Sequence, residues 1–334
     1  MGRAAAAGVE EGRVLVATAA LSVASNTALV VAKGAVGIIT GALSVLSEAL
    51  HSFSDLLASA IALTAVAVAS KPADDRHEFG HGKYESLSAV IEGLLLFGAA
   101  AWIVVEAVRR LGKPPERIMA LPGIIVMSAG VVLNAVISSV LLRAARRYGS
   151  PALRADGVHL RADVVTSAAV LAGLGLIHRG APMWVDTVLA VAVAAVVVAE
   201  GFGLVSGGVG ELLDVALPKS ERDIIEKVLS GYRSGPYVGY HDLRTRHSGR
   251  QHEVEVHVVV CQQLTVGEAH KISDELAAAV REALPNTRLV VHVEPCDEEE
   301  CTRLLGQGLL PEKCRRREME VARAADRQSQ AGGI

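Results

Sequence analysis

The sequence has few cysteines, few aromatic residues and no large excess of charge of either sign. Its four cysteines all lie in the last quarter of the chain, too sparse for a disulfide scaffold, which favours reduced cytosolic thiols. The formal charge is −3, so no overall basic surface is available for nucleic acid. The letters His-Glu-x-x-His occur at residues 77–81, but in a loop between two apolar stretches and not on the helix that metalloprotease chemistry needs, which argues against an intramembrane metalloenzyme with its own general base. These features disfavour disulfide-rich secreted modules, nucleic-acid binding and metalloprotease chemistry.

Aliphatic residues, in contrast, are abundant. Hydrophobic residues make up 51% of the 334 positions and aromatics only 3%, with a mean hydropathy of +0.37. A helix needs about 20 apolar residues to cross a hydrocarbon core. Six stretches meet this length: 14–38, 43–69, 87–108, 118–142, 158–177 and 184–205. The sequence therefore predicts a six-helix membrane domain over residues 14–217, after a short cytosolic segment over residues 1–13. The first stretch is too long for a signal-peptide core and shows no clear cleavage site, so we expect no processing.

Positive charges in the loops predict the orientation in the membrane. The loops after the second and fourth stretches carry Lys71, Arg76, Lys83, Arg143, Arg146, Arg147 and Arg154. The loop after the third stretch carries Arg109, Arg110, Lys113 and Arg117 and opposes this pattern, but the other outer connections are nearly uncharged. We therefore expect a multi-pass protein of the cell membrane, that is, the plasma or inner membrane, with both termini in the cytosol.

The character of the chain changes after the sixth stretch. A helical pattern over 221–232 is followed by period-two strands at 237–247 and 252–261, a helix at 266–284 and a strand at 287–294. This order, αββαβ, predicts a cytosolic α+β domain over residues 218–296, with Val254, Val256 and Val258 on its core face. Residues 297–334 are rich in Glu, Arg, Gln and Ala, which predicts a mobile or loosely helical tail.

Two His-Asp pairs stand inside apolar stretches. His51 and Asp55 lie in the second stretch, and His159 and Asp163 lie in the fifth. Their i, i+4 spacing stacks each pair on one helix face, so two such faces would offer four ligands suited to tetrahedral zinc. Ionisable groups in a bilayer cost about 2.5 to 3.5 kcal/mol each, so their occurrence points to function. The alternative is that each pair is a structural hydrogen bond.

With these pairs, two further motifs carry a family resemblance. They are residues 71–83, KPADDRHEFGHGK, and residues 239–246, GYHDLRTR. From about residue 14 to residue 295 the chain closely resembles the cation diffusion facilitator family. The resemblance implies a homodimer of six-helix membrane domains with cytosolic metallochaperone-like, ferredoxin-like dimerisation domains, which moves divalent metal by alternating access. It also implies that His51, Asp55, His159 and Asp163 form the transport site. Many bacterial relatives have Asp in place of His51, and the His resembles the zinc-preferring members.

The resemblance implies accessory residues as well. Asp74, His77 and His81 match a loop metal site, for which the alternative is a solvated polar loop. Lys83 matches a residue that pairs with an acid after the sixth helix, and Asp214 occupies the place of that acid.

A cytosolic zinc cluster is also implied by the resemblance. Its members match His241, His257, His270, His292 and Glu294, where Glu294 stands in the place of an Asp. The alternative is a set of ordinary surface histidines. Cys296 and Cys301 could add thiolate ligands, but bystander thiols fit their spacing better.

We therefore expect a transporter, not an enzyme, that exports Zn2+ in exchange for protons, with zinc both substrate and regulatory ligand of a cytosolic domain that regulates the dimer. Two other interpretations stay open: a non-transporting membrane metal sensor, and a family transporter whose main substrate is Fe2+, Mn2+, Co2+ or Cd2+. The expected partners are a second copy of the chain, the lipid bilayer, divalent metal ions and protons, with no nucleic acid.

Overall fold

The computed structural model describes residues 2–40, 43–110, 121–178, 184–232 and 237–297. The chain divides into two units, Met1–Leu213 with Ser248–Arg250, and Asp214–His247 with Gln251–Ile334. The division after Leu213 lies close to the predicted boundary at residue 218. The predicted tail, with Cys301, lies outside the described residues.

The described regular structure between residues 1 and 213 of the first unit is helical. Its described helices are α1 Gly2–Thr40, α2 Leu43–Ala69, α3 Lys83–Arg110, α4 Leu121–Tyr148, α5 Pro151–His178 and α6 Trp184–Leu212. Five of them, all except α5, contain a described stretch long and apolar enough to span a membrane. The 28-residue α5 carries several charges in its first half and packs against α2, α3, α4 and α6. The protein is thus a multi-pass membrane protein.

Aliphatic side chains and glycines bring these helices together. One buried cluster joins α1, α2, α4 and α5 and includes Leu15, Val66 and Leu141. At the α3–α6 contact, a Cβ added to Gly93 would lie 2.9 Å from the carbonyl oxygen of Gly201. Because small residues let helix backbones approach closely within a membrane, this contact depends on both glycines. 

Buried polar side chains link α1, α2 and α5. The Asn26 Nδ2 atom donates to Ser59 Oγ over 2.7 Å, and Ser59 Oγ donates to Asp156 Oδ1 over 2.8 Å. Ser22 Oγ lies 2.9 Å from Ser59 Oγ. Interhelical hydrogen bonds of this kind hold helices in one relative rotation. The network therefore sets which faces of α2 and α5 meet.

The second unit is a small α+β domain. Its described elements are α7 Lys219–Gly231, β1 Tyr237–Ser248, β2 Gln251–Val260, α8 Val266–Ala283 and β3 Thr287–Pro295. The sheet order is β1-β2-β3, and β2 pairs in parallel with β3. The predicted fold class, a helical membrane domain followed by an αββαβ domain, is confirmed.

The core of this domain follows the alternation in β2. Val254, Val256 and Val258 are fully or almost fully buried and pack with Ile225 of α7 and Leu276 of α8. Since successive strand residues point to opposite faces, the residues between these valines lie on the other side of the sheet. This alternation places His257 on the face away from the helices.

Local signals define the ends of these elements. Gly249 has a φ of +59° in the turn between β1 and β2, a conformation that glycine adopts without steric cost. Thr265 and Glu268 form a reciprocal capping box at the start of α8. Both signals fix the boundaries of strands and helices that carry histidines.

Candidate metal centres

The two intramembrane His-Asp pairs face each other across α2 and α5. His51 Nε2 lies 3.6 Å from Asp163 Oδ1 and 3.9 Å from Asp55 Oδ1. His159 Nε2 lies 3.5 Å from Asp55 Oδ1 and 3.9 Å from Asp163 Oδ2. Each imidazole thus contacts one carboxylate on its own helix and one on the other. His51, Asp55 and Asp163 offer ligand atoms that all lie within 4.8 Å of one another, and His159 lies beside this group, in contact with both carboxylates.

This intramembrane group is largely shielded from solvent. The side chains of Asp55, His159 and Asp163 are 4%, 7% and 12% exposed, whereas that of His51 is 47% exposed. Among the described residues, His159 Nδ1 and Asp163 Oδ2 are buried without a hydrogen-bond partner. Buried polar atoms normally have partners, so an orphaned imidazole nitrogen and carboxylate oxygen in one group indicate a binding function. The group is accessible from the side of His51.

The loop residues between α2 and α3 form a second group. Asp74 Oδ1 lies 3.2 Å from His77 Nδ1, and Asp74 Oδ2 lies 3.3 Å from His81 Nε2. The ring centroids of the two histidines are 4.4 Å apart. The Asp74 carboxylate accepts hydrogen bonds from the backbone N–H groups of His77 and Arg76, over 2.8 and 3.0 Å. These bonds, that of His77 foremost, lower the pKa of Asp74, so the carboxylate is ionised at neutral pH.

The sheet face of the cytosolic unit carries a third group around Glu294. His241 Nε2 donates to Glu294 Oε2, and His257 Nδ1 donates to Glu294 Oε1, both over 2.9 Å. His292 Nε2 lies 3.5 Å from Glu294 Oε1. His257 and His292 are register partners on β2 and β3. The hydrogen bond from His241 is the main cause of a lowered pKa at Glu294, which therefore stays ionised down to acidic pH.

Two predicted members of these sites have other neighbours. His270 lies on α8 with Nε2 3.6 Å from Asp274 Oδ2, and is not brought into the Glu294 group. Asp214 Oδ2 lies 3.1 Å from Arg246 Nη1, and its predicted pairing with Lys83, which would join the two units, stays a prediction. Cys296 is a free cysteine, buried with Val259 and Cys261 in a small hydrophobic cluster, and its role as a bystander thiol stays a prediction. Cys261 is disulfide-bonded, so the expectation of reduced thiols is wrong at that residue.

One residue near the Glu294 group was missed from the sequence. Asp242 Oδ2 lies 3.7 Å from His257 Nε2, and Asp242 has a φ of 49°. A left-handed non-glycine residue is uncommon, although Asp adopts this conformation more readily than most. In a regular strand, Asp242 would point to the side of the sheet opposite its neighbour His241. The left-handed backbone at Asp242 interrupts this alternation and lets its side chain approach His257.

Comparison with known proteins gives two matches that together span most of the chain. The family described as "Cation efflux transmembrane domain" matches residues 19–213, and that described as "Cation efflux protein, cytoplasmic domain" matches residues 217–296. The boundary between the two matches lies where the chain divides into its two units.

Individual relatives agree with these matches. The uncharacterized transporter sll1263 of Synechocystis is 34% identical over 233 residues, which cover 70% of this chain and 75% of the relative. The cation-efflux pump FieF of Shigella boydii is 32% identical over 234 residues, covering 69% and 76%. A solved structure of CzrB in a zinc form is 38% identical and covers 25% of this chain and 96% of its own, with a TM-score of 0.24.

A helical membrane unit, a second α+β unit and candidate metal-ligand groups in both agree with these matches along the length of the chain. The chain belongs to the cation diffusion facilitator family and is a cation efflux transporter.

Proposed function

We propose that this transporter exports Zn2+ from the cytosol in exchange for protons, by alternating access of the group formed by His51, Asp55, His159 and Asp163. The observation that carries the proposal is the meeting of two i, i+4 His-Asp pairs, with imidazole-to-carboxylate distances of 3.5 to 3.9 Å. Two nitrogens and two oxygens form a ligand set suited to a tetrahedral zinc ion.

The distances support a metal more than a set of hydrogen bonds. Ligand atoms about 2.0 to 2.1 Å from a tetrahedral zinc ion stand about 3.3 Å from one another. The four separations here, 3.5 to 3.9 Å, exceed the usual 2.7 to 3.2 Å of an N–H···O hydrogen bond. His51 and His159 face different oxygens of Asp163, so the four residues would have to reorient to hold one ion. A purely structural role for the pairs explains the spacing less well.

Proton coupling follows from the chemistry of these ligands. Imidazole binds a metal only when it is deprotonated, and its unperturbed pKa is about 6.5. Facing the cytosol, a deprotonated site loads Zn2+. Facing outward, protonation of His51 and His159 weakens coordination and releases the ion. Each released metal is therefore replaced by protons, which are carried back on the same side chains.

The remaining groups complete the proposal. The loop group around Asp74 and the cytosolic group around Glu294 bind Zn2+ from the cytosol, and the second of these regulates a homodimer. We place both termini in the cytosol and the protein in the plasma or inner membrane. The domains are residues 1–13, 14–217, 218–296 and 297–334, as the sequence predicts.

The test is metal flux into sealed proteoliposomes that contain the full-length protein. With the accessible side of the protein at the higher pH, Zn2+ uptake should exceed that of Fe2+, Mn2+, Co2+ and Cd2+, and proton movement in the opposite direction should accompany it. A protonophore that collapses the pH gradient should slow uptake, whereas protein-free liposomes should show neither flux.

Other outcomes point elsewhere. Tight Zn2+ binding without flux would favour a non-transporting membrane sensor. Flux that prefers another of the five ions would keep the mechanism but change the substrate. Zn2+ flux that is indifferent to an imposed pH gradient, and moves no protons, would contradict antiport.

A further inference from the structure

Three side chains outside the groups described above converge in the cytosolic unit. Glu221 lies in the first turn of α7, His247 near the end of β1 and His252 near the start of β2. Glu221 Oε2 lies 3.4 Å from His247 Nε2 and 3.8 Å from His252 Nε2. One ligand atom from each of the three lies within 4.8 Å of the others. The arrangement brings together three elements that are separate in the sequence.

A hydrogen bond on the far side of the ring from Glu221 fixes the orientation of the His252 imidazole. Its Nδ1 lies 3.1 Å from the carbonyl oxygen of Pro285, which only accepts hydrogen bonds, so Nδ1 carries the proton. In the neutral ring Nε2 then has a free lone pair, and it is Nε2 that faces Glu221. Histidines that ligate metals usually donate their other ring N–H to a carbonyl or carboxylate in this way.

Glu221 and His247 also suit ligation. Glu221 Oε2 is buried and accepts no hydrogen bond from the described residues, which is unusual for a carboxylate oxygen. His247 Nε2 faces the same oxygen of Glu221 that His252 Nε2 faces, over 3.4 and 3.8 Å respectively. The side chains of Glu221, His247 and His252 are 30%, 21% and 15% exposed, so a small ion can reach them from water.

A structural ion pair is the competing explanation, since an acid in the first turn of a helix is favoured by the helix dipole. It leaves two observations unexplained. One histidine would suffice for a pair, and neither nitrogen makes a hydrogen bond to Glu221 Oε2. A shared ion explains both, because ligands about 2.0 to 2.1 Å from a tetrahedral zinc ion stand about 3.3 Å apart.

We propose that Glu221, His247 and His252 form a separate cytosolic site for a divalent transition-metal ion of the zinc class. Two imidazoles and one carboxylate favour zinc or cobalt over Mg2+ or Ca2+, which prefer oxygen ligands. Three protein ligands leave a fourth position for water. The ion ties the first turn of α7 to the β1–β2 hairpin, at the beginning of the cytosolic unit.

The test measures Zn2+ binding to full-length, detergent-solubilised protein in which substitutions have weakened the other three metal-ligand groups. The background variant carries Asp55→Asn, Asp74→Asn and His257→Gln. Equilibrium dialysis against buffered free Zn2+ measures bound metal per chain, and Co2+ loading reports ligand geometry through its visible absorption. The background should bind about one Zn2+ per chain and give the intense absorption of tetrahedral cobalt.

Adding Glu221→Gln, His247→Gln or His252→Gln to the background should weaken this binding by at least about tenfold. Glu226→Gln is the matched control, because Glu226 lies on the same helix and pairs with Arg222 over 2.8 Å. Thermal unfolding with and without Zn2+ separates binding from folding. The site variants should unfold as the background does in a chelator and lose the stabilisation by Zn2+.

The proposal is overturned if the background binds no Zn2+, or if the three site variants bind it as tightly as Glu226→Gln does. It is also overturned if the site variants are already destabilised in a chelator and keep their Zn2+ affinity, which is the behaviour of a structural pair. Because binding is measured with the membrane group impaired, these outcomes are independent of whether the wild-type protein transports zinc.

Discussion

The intramembrane group and the cytosolic Glu294 group use the same ligand types but differ in their access to water. Asp55 and His159 are 4% and 7% exposed, whereas His241 and His292 are 52% and 65% exposed. An ionisable group inside a bilayer costs about 2.5 to 3.5 kcal/mol, while an exposed ion pair contributes about 0 to 1 kcal/mol. Leaving the buried members of the intramembrane group, Asp55 and His159, without a bound ion or protons is therefore costly. The exposed group tolerates both the empty and the loaded state.

This difference fits the transport role and the regulatory role proposed above for the two groups. A buried transport site must exchange one cation for another, because its carboxylates are costly to keep in the membrane without a bound cation. A regulatory site must follow the metal concentration and therefore has to be stable when empty. Four predictions test the comparison, in order of decreasing effect.

The largest effect is expected at the buried carboxylates. Asp55→Asn or Asp163→Asn removes one charged ligand from the proposed site, and we expect Zn2+ flux in proteoliposomes to fall by about 100-fold or more. The protein should still fold, since Asn has the same shape. Asp75→Asn is the matched control, an exposed loop residue next to Asp74. Undiminished flux in either site variant would remove the assignment of the transport site.

The next effect concerns selectivity at His51. His51→Asp keeps four ligands and adds a negative charge, so the site should accept Cd2+ and other ions more readily. We expect the ratio of Cd2+ to Zn2+ transport to rise by up to about tenfold, equal to about 1.4 kcal/mol of differential affinity. Competition between the two ions in the flux assay measures it. An unchanged ratio would show that His51 does not set selectivity.

A smaller effect is expected from the cytosolic group. Replacing His241, His257 and His292 together by Gln should raise the Zn2+ concentration for half-maximal transport by about fivefold, the lower end of typical coupling between sites. Maximal flux should be largely kept, because the membrane ligands are unchanged. Glu255→Gln, an exposed neighbour on β2, is the control. A triple variant with the wild-type concentration dependence would argue for ordinary surface histidines.

The smallest effect is a pH dependence at Glu294. Because its folded-state pKa is lowered, chiefly by the hydrogen bond from His241, the stabilisation is present above the ordinary carboxyl pKa of about 4.3. It is lost as the pH falls through the lowered folded-state pKa. Hydrogen exchange of metal-free full-length protein, corrected for intrinsic rates, should show β3 losing protection in this acidic window. In Glu294→Gln this step should be absent, and a step of equal size in both proteins would contradict the assignment.

Much of the fold could be predicted from the sequence because the patterns are local. Long apolar stretches indicated helices, and the alternation of valines in β2 indicated which side of the sheet is buried. The charges of α5 show the limit of this reasoning, since that helix is the one in which no described stretch qualifies as a span. It packs among four neighbouring helices, and its polar side chains are accommodated there by partners that hydropathy does not reveal.

The candidate sites also divide into those that local spacing predicts and those that depend on contacts between distant elements. Both His-Asp pairs could be located from their spacing, because residues four apart on a helix share a face. His270 could not be separated from the other cytosolic histidines by pattern, although the structure places it next to Asp274. Asp242 and the Glu221 group were missed, because their members meet through a left-handed backbone residue and through contacts between distant elements.

The sequence by itself determined the helices, the strands, their buried faces and the two intramembrane pairs, since each depends on a period of two or of 3.6 residues within one element. Only the tertiary structure decided which pairs meet, that His51 contacts Asp163, and that His257 and His292 stand side by side. The physical reason is that metal ligation needs atoms within a few ångströms, and such proximity between elements is set by packing and buried hydrogen bonds.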